Sequence, residues 1–321
     1  MWRYAVRRVL QMVPVLLGTT LFIYVLVFAL PGDPIRALAG EKPLPDSVYQ
    51  ALRDHYHLDD PLLVQYGRYV FGVLFRGDFG ETFNGQSVGQ LIADSWTVTA
   101  QLAATAWLFE LVVGMSLGVW AGLSAARRGG RGGGTRRGGF ADAAVLGGTT
   151  VAIAIPSFVL AYSAQLVFGL KLGWFPTAGT DAGWPMSYLL PGMVVAAAEL
   201  GYVARLTRTS LVENMRADYV RTAVSKGLPR RRVVARHTLR NSLIPVVTYL
   251  GTQIGYFMAG SIIVEGIFNL PGIGHEIWLA LQIKEGPTIV GIVTFLVLVY
   301  LFANLVVDLL YGVLDPRIRY D

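Results

Sequence analysis

Apolar residues gather in six long blocks, separated by polar or turn-forming stretches. The blocks cover roughly 9–30, 98–123, 143–170, 188–206, 246–267 and 289–310. Each approaches the ~20 residues that a helix needs to cross the hydrocarbon of a bilayer. Backbone amides find no water there, so helices are the default. The pattern therefore predicts an all-α polytopic membrane protein with six transmembrane helices. Pro156 and Pro191 interrupt the third and fourth blocks, and a local kink is expected at each.

Composition agrees. The chain has 321 residues, 54% hydrophobic and 15% charged, against about 45–50% apolar and about 25% charged for a soluble domain. It has no cysteine, which removes disulfides, thiolate metal sites and cysteine nucleophiles. Arg3, Arg7 and Arg8 precede the first block and resemble the n-region of a signal peptide, with a hint of a twin-arginine signal. The apolar run exceeds the roughly 7–15 residues of an h-region, so an uncleaved helix is expected.

The net charge of +6 raises the question of nucleic acid, and the position of the charges answers it. Arg3, Arg7 and Arg8 lie before the first block, and five arginines lie between 127 and 137. Ten basic residues lie between Arg205 and Arg240, and Arg317 and Arg319 lie in the tail. Twenty of the 27 basic residues thus fall on one side, which the positive-inside rule makes cytoplasmic. Both termini are then expected inside.

The stretch 31–97 is the one large external segment. It carries Pro31-Gly32-Asp33-Pro34 and Asp59-Asp60-Pro61, both turn or helix-start signals. Helical spacing at 48–56 and 62–74 predicts a small, mostly helical cap. The run 127–139 reads RRGGRGGGTRRGG. An RGG-like nucleic-acid segment is one reading. A flexible cytoplasmic linker carrying topology charges is the preferred one, because both ends are tethered by spans. The run also mimics a glycine fingerprint, yet no strand precedes it.

The fourth loop carries the most information. Asp218 is a candidate N-cap, and 219–226 has room for two helical turns. Gly227 suits the residue after a helix end, and Pro229 can open the next helix, 230–241. Two short helices should meet at a sharp cytoplasmic corner. Ala223 and Gly227 are small enough to let a partner's surface approach. A DNA-binding helix-turn-helix and a purely topological basic loop are the competing readings; a protein-docking element is preferred.

Within this loop, Arg221-Thr222-Ala223 and Gly227 resemble the EAA loop of ABC-importer permeases, which reads Glu-Ala-Ala-xxx-Gly followed by Ile-x-Leu-Pro. Ala223, Gly227 and Leu239 match that pattern, whereas Arg221, Thr222, His237 and Arg240 replace the Glu, the first Ala, the Ile and the Pro; a further proline stands at Pro245. The strings DYVRTAVSKGL (218–228) and RHTLRNSLIPV (236–246) resemble more closely the B-type membrane subunit of dipeptide/oligopeptide ABC importers. Other matches run along the whole chain. They include Leu58-Asp59-Asp60-Pro61 with Gln65-Tyr66, Gly77-Asp78-Phe79-Gly80, Pro156-Ser157-Phe158, Glu265-Gly266-Ile267-Phe268 with Pro271-Gly272-Ile273-Gly274, and Asp315-Pro316-Arg317-Ile318-Arg319. The 127–139 run looks like an insertion in that pattern.

The resemblance implies the type I permease fold and a place in a bacterial cytoplasmic membrane. It implies a division into residues 1–30 (cytoplasmic N-terminus and first span), an external segment 31–97, a core 98–310 containing a cytoplasmic coupling loop 207–245, and a cytoplasmic tail 311–321. The implied partners are a second homologous permease, two cytoplasmic ATPases and an extracytoplasmic peptide-binding protein, besides the lipid bilayer and without nucleic acid. ATP and Mg would sit on the ATPases; this chain has no cofactor of its own and is not expected to be an enzyme. No Gly-Lys pair occurs, so no Walker A loop can form here. Tyr219, Arg221, Thr222, Ala223, Lys226, Gly227, Leu239 and Pro245 are the candidate ATPase-docking residues.

Four carboxylates remain: Glu110, Glu199 and Asp308 within apolar blocks, and Glu265 near the end of one. Such a group costs roughly 2.5–3.5 kcal/mol at mid-bilayer on insertion scales and usually faces a partner or a watery path. Glu199, beside Ala196-Ala197-Ala198 and Gly201, is the candidate for the substrate path, for instance as ligand to a peptide's ammonium; burial against a neighbouring helix is the alternative. The four histidines are too scattered for a metal site. A nickel or other solute-specific permease is the nearest rival reading, and a stand-alone secondary transporter or channel is the rival from another class.

Overall fold

A computed structural model describes residues 2–28, 45–129 and 140–314. The Pro31–Pro34 turn, most of the 127–139 run and the tail from 315 onward lie outside the described residues. Among the described residues, fourteen helical stretches follow in order: α1 Trp2–Phe28, α2 Asp46–His55, α3 Leu62–Arg76, α4 Val88–Phe109, α5 Met115–Gly129, α6 Phe140–Ala154 and α7 Ser157–Ala164. Then come α8 Met186–Asn214, α9 Asp218–Ser225, α10 (230–242), α11 Ile244–Gly260, α12 Ile262–Phe268, α13 Ile273–Gln282 and α14 Gly286–Leu314. A π-helical turn, Glu110–Gly114, joins α4 to α5, and another, Gln165–Lys171, extends α7. No strand occurs among the described residues.

Among the described residues, four helices are long and apolar enough to cross a membrane, or up to six spans when each of two bent pairs counts as one. Each of the six expected blocks falls mainly on helix where it is described. The second crossing begins at Val88, ten residues ahead of the apolar block, because polar Gln90, Asp94 and Ser95 belong to the same helix. The third is bent by 101° between α6 and α7. Pro156 supplies the reason. It lacks an N–H and drives Ile155 out of the helical region. It then acts as N-cap of α7, its carbonyl accepting from Leu160 N at 3.1 Å. Pro191 breaks nothing: it sits in the second turn of α8, which continues to Asn214.

The chain divides into two compact units. The first comprises Met1–Gln101, Ala178–Thr180 and Met258–Asp321. Here α3 lies along α1: Tyr66 donates to Leu17 O at 2.8 Å and bonds the Thr20 hydroxyl at 2.9 Å, while Gln65 Nε2 donates to Asp60 O at 2.8 Å. Pro61 opens α3, so Asp59-Asp60-Pro61 does act as a helix start. Val88, Ile92, Ile273, Ile277, Ile292 and Leu296 form its core. Glu265 is fully buried in this unit and well partnered. It accepts from Thr99 Oγ1 at 2.9 Å, Ser261 Oγ at 2.6 Å and His275 N at 3.1 Å. Asp308 on α14 pairs with Arg8 on α1 at 3.2 Å.

The second unit comprises Leu102–Thr177 and Asp181–Phe257. Its axis is α8, which packs on α5 and α6. At Gly118 a Cβ would lie 2.5 Å from Ala204 O and from Thr207 Cβ, so only glycine lets α5 approach α8 so closely. Ala121, Val145 and Ala204 fill the space between the three helices. Arg208 on α8 grips Asp142 on α6 through two bonds, at 2.7 and 2.8 Å.

Candidate functional site

The loop after α8 folds into a corner with its own small core. Asp218 was expected to cap α9; instead Ala217 is the N-cap, with extended backbone, and accepts from Val220 N and Arg221 N. Asp218 stands in the first turn, where its charge still suits the helix dipole.

The end of α9 follows from Gly227. Its φ of +74° is left-handed backbone, which glycine adopts without cost. Gly227 N donates to Val224 O at 2.9 Å, and Leu228 N donates to Ala223 O at 3.3 Å. This pair of bonds is the Schellman arrangement, which closes a helix and turns the chain. Leu228 then packs over Val220, Ala223 and Val233. Pro229 lies just before α10 rather than inside it, and its carbonyl accepts from Arg232 N and Val233 N. A π-helical stretch, Val233–Leu239, carries α10 onward.

The corner is moored to the end of α8. Buried Ser242 donates to Ser210 O at 3.3 Å, and Asn214 Nδ2 donates to the same carbonyl at 2.9 Å. Tyr219 donates to Asn214 Oδ1 at 2.5 Å.

These facts sort the candidate residues. Tyr219, Arg221, Thr222, Lys226 and Gly227 are all exposed. Ala223 is inside, 6% exposed, so its small size serves the internal packing of the corner. Leu239 and Pro245 are half-buried farther along, at the return towards α11. Sequence reasoning missed Val224, an apolar residue 60% exposed between Arg221 and Lys226. The helical period could not have found it, since Val224 stands four residues after buried Val220 and so falls on the same side of the helix.

Glu199 lies on α8, half-buried, and accepts a hydrogen bond from Tyr249 of α11. Tyr202 stacks against Tyr249 with ring centres 4.4 Å apart. Glu110, in the π-helical turn, is fully buried, and neither of its oxygens has a hydrogen-bond partner.

Among the described residues the chain is helical, with four apolar helices, or up to six spans if each bent pair is one, long enough to cross a membrane. The chain is a member of the family of binding-protein-dependent transport system inner membrane components, whose profile matches residues 114–320; the N-terminal region of the same group of proteins matches residues 1–104. It is 38% identical over 322 aligned positions to the glutathione transport system permease protein GsiC of Salmonella paratyphi A, covering 100% of both chains. It is 36% identical to a putative peptide transport system permease protein of Brucella abortus, covering 98% of both chains. The chain is therefore an ABC-importer permease and an inner membrane component. The family is a transport component and not a catalytic subunit, and such a system includes a substrate-binding protein and an ATPase.

Proposed function

We propose that this chain forms half of the translocation pathway of an ATP-driven importer of dipeptides or oligopeptides, and that its 218–245 loop receives the movement of a cytoplasmic ATPase. The observation that carries the reading is the Schellman-closed corner. It leaves Tyr219, Arg221, Val224 and Lys226 exposed around one short helix while Ala223 and Leu228 secure the corner from within. A rigid corner tied to α8 through Ser210 and Asn214 can pass a push to a membrane-crossing helix; a floppy basic loop could not.

The remaining assembly is a second homologous permease, two ATPases holding ATP and Mg, and a peptide-binding protein on the outer face. Both termini lie in the cytoplasm by the distribution of arginines. Relatives named for peptide and for glutathione transport support cargo of peptide type, glutathione being a tripeptide.

Vesicles carrying the complete complex, with binding protein outside and ATP inside, should accumulate labelled alanyl-alanine or glutathione. Accumulation by this chain alone, without ATP, would reject the reading. Uptake of nickel and of no peptide would reassign the cargo.

A further inference from the structure

Glu110 is the one fully buried carboxylate among the described residues whose oxygens lack any partner. An unpartnered buried polar group is expensive, and each one in a native structure calls for an explanation, a bound ion or a functional role among them. Its surroundings are specific. Trp107 and Leu111 flank it on its own helical stretch and pack against Val203 of α8 and Val246 and Leu250 of α11. Trp107 is pinned by donating to Leu250 O at 2.8 Å. The charged and titratable groups within electrostatic reach are Glu199 on α8 and Tyr249 on α11. Tyr202 and Tyr256 surround those two in turn.

The group is graded from surface to interior. Tyr202 and Tyr256 are about half exposed, Glu199 is half-buried, and Glu110 is fully enclosed. In membrane-crossing helices, a half-exposed carboxylate ringed by tyrosines does not face lipid at a tolerable cost; it faces a path or a partner. No basic residue is among the groups acting on Glu110 or on Tyr249. The Tyr249 hydroxyl currently occupies Glu199 Oε2, where an incoming donor could replace it.

We propose that Glu110, Glu199 and Tyr249 form a binding site for one ammonium group, with the tyrosine faces of Tyr202 and Tyr249 completing it. An ammonium brings three donors and one positive charge. Two carboxylates supply acceptors, and aromatic faces attract the cation. A transition-metal ion would call for imidazole or thiolate, and neither is present in the group. The α-ammonium common to peptides and glutathione is the fitting ligand. The choice of cargo rests on the import reading above; the geometry of the site does not.

Dicyclohexylcarbodiimide, which attacks carboxyl groups in apolar surroundings, reads the site directly in the complete complex in lipid vesicles. Alanyl-alanine at about ten times its dissociation constant should slow labelling of Glu110 and Glu199 about tenfold, because only unoccupied sites react. N-acetyl-alanyl-alanine should leave it unchanged, and Glu199→Gln should abolish the protection at Glu110. Equal rates with and without the amine overturn the site, as does a Glu110 that never reacts, since no solute could then reach it. Stronger protection by nickel(II) than by the dipeptide also overturns it. Protection without ATP-driven peptide uptake keeps the site and rejects the import reading; uptake without protection does the reverse.

Discussion

Arg208 meets Asp142 side on, Nε to Oδ1 at 2.7 Å and Nη2 to Oδ2 at 2.8 Å, the two-pronged match that only a guanidinium makes. Asp142 is almost fully buried and Arg208 is about a quarter exposed. The pair fastens the start of α6 to α8, two residues before Ser210, where the cytoplasmic corner is moored.

Removing one member leaves the other charge poorly solvated. Asp142→Ala should destabilise the purified complex by about 3 kcal/mol, the low end for a buried pair, since Arg208 keeps some water. Arg208→Lys should recover only part of the loss. Thermal unfolding in detergent checks both, and an unchanged midpoint for Asp142→Ala would refute the clamp.

At Gly227 the demand is on the backbone. Gly227→Leu forces a side chain into left-handed geometry at a cost of about 1–2 kcal/mol, whereas Gly227→Asn should be nearly neutral because asparagine tolerates that region. Membrane insertion should survive in both, and ATP-driven uptake should fall several-fold in the leucine variant alone. Equal uptake by the two would show that the turn is not what the ATPase needs.

Ala223 and Val224 are neighbours with opposite exposures, so the same substitution should act differently. Ala223→Asp places a charge among Val220, Leu228 and Val233 and should loosen the whole corner, seen as faster amide exchange over 218–242. Val224→Asp should leave exchange unchanged while lowering the number of solutes moved per ATP. If both variants transport normally, this helix is not the docking surface.

Glu276 on α13 is half-buried, and its carboxyl is raised above the usual range, first by burial and then by Glu285, with His275 opposing. The folded state therefore holds this proton more tightly than the unfolded chain. The contribution is complete below the unfolded value and is lost as pH rises through the folded one. Glu276→Gln should flatten the decline in stability on that upward scan; an identical pH profile for the variant would remove Glu276 as its source.

Much of this was legible in the sequence. The position of the long apolar helices followed from the apolar blocks, because a membrane leaves the backbone few alternatives. Gly227 and Pro229 marked the corner, since each constrains the backbone by itself. Pro191 sits in the second turn of α8, and the helix runs through it to Asn214. Asp218 misled because capping depends on the backbone of Ala217, which composition does not encode. What stayed hidden was pairwise. Nothing near Arg208 pointed to Asp142, 66 positions away, and Arg208 looked like one more topology charge. Likewise Gln65 and Tyr66 were visible only as motif letters, and their bonds to Asp60, Leu17 and Thr20 needed coordinates.

The bonds at Glu265 limit how this half of the molecule can move. One carboxylate holds the hydroxyls of Thr99 and Ser261 and the amide of His275 together, so residue 99 and the stretch 261–275 must swing as a single lump. Any hinge in this unit is thereby displaced to other joints, and a spin label at exposed residue 97 should keep its separation from one at 275 through every stage of the cycle.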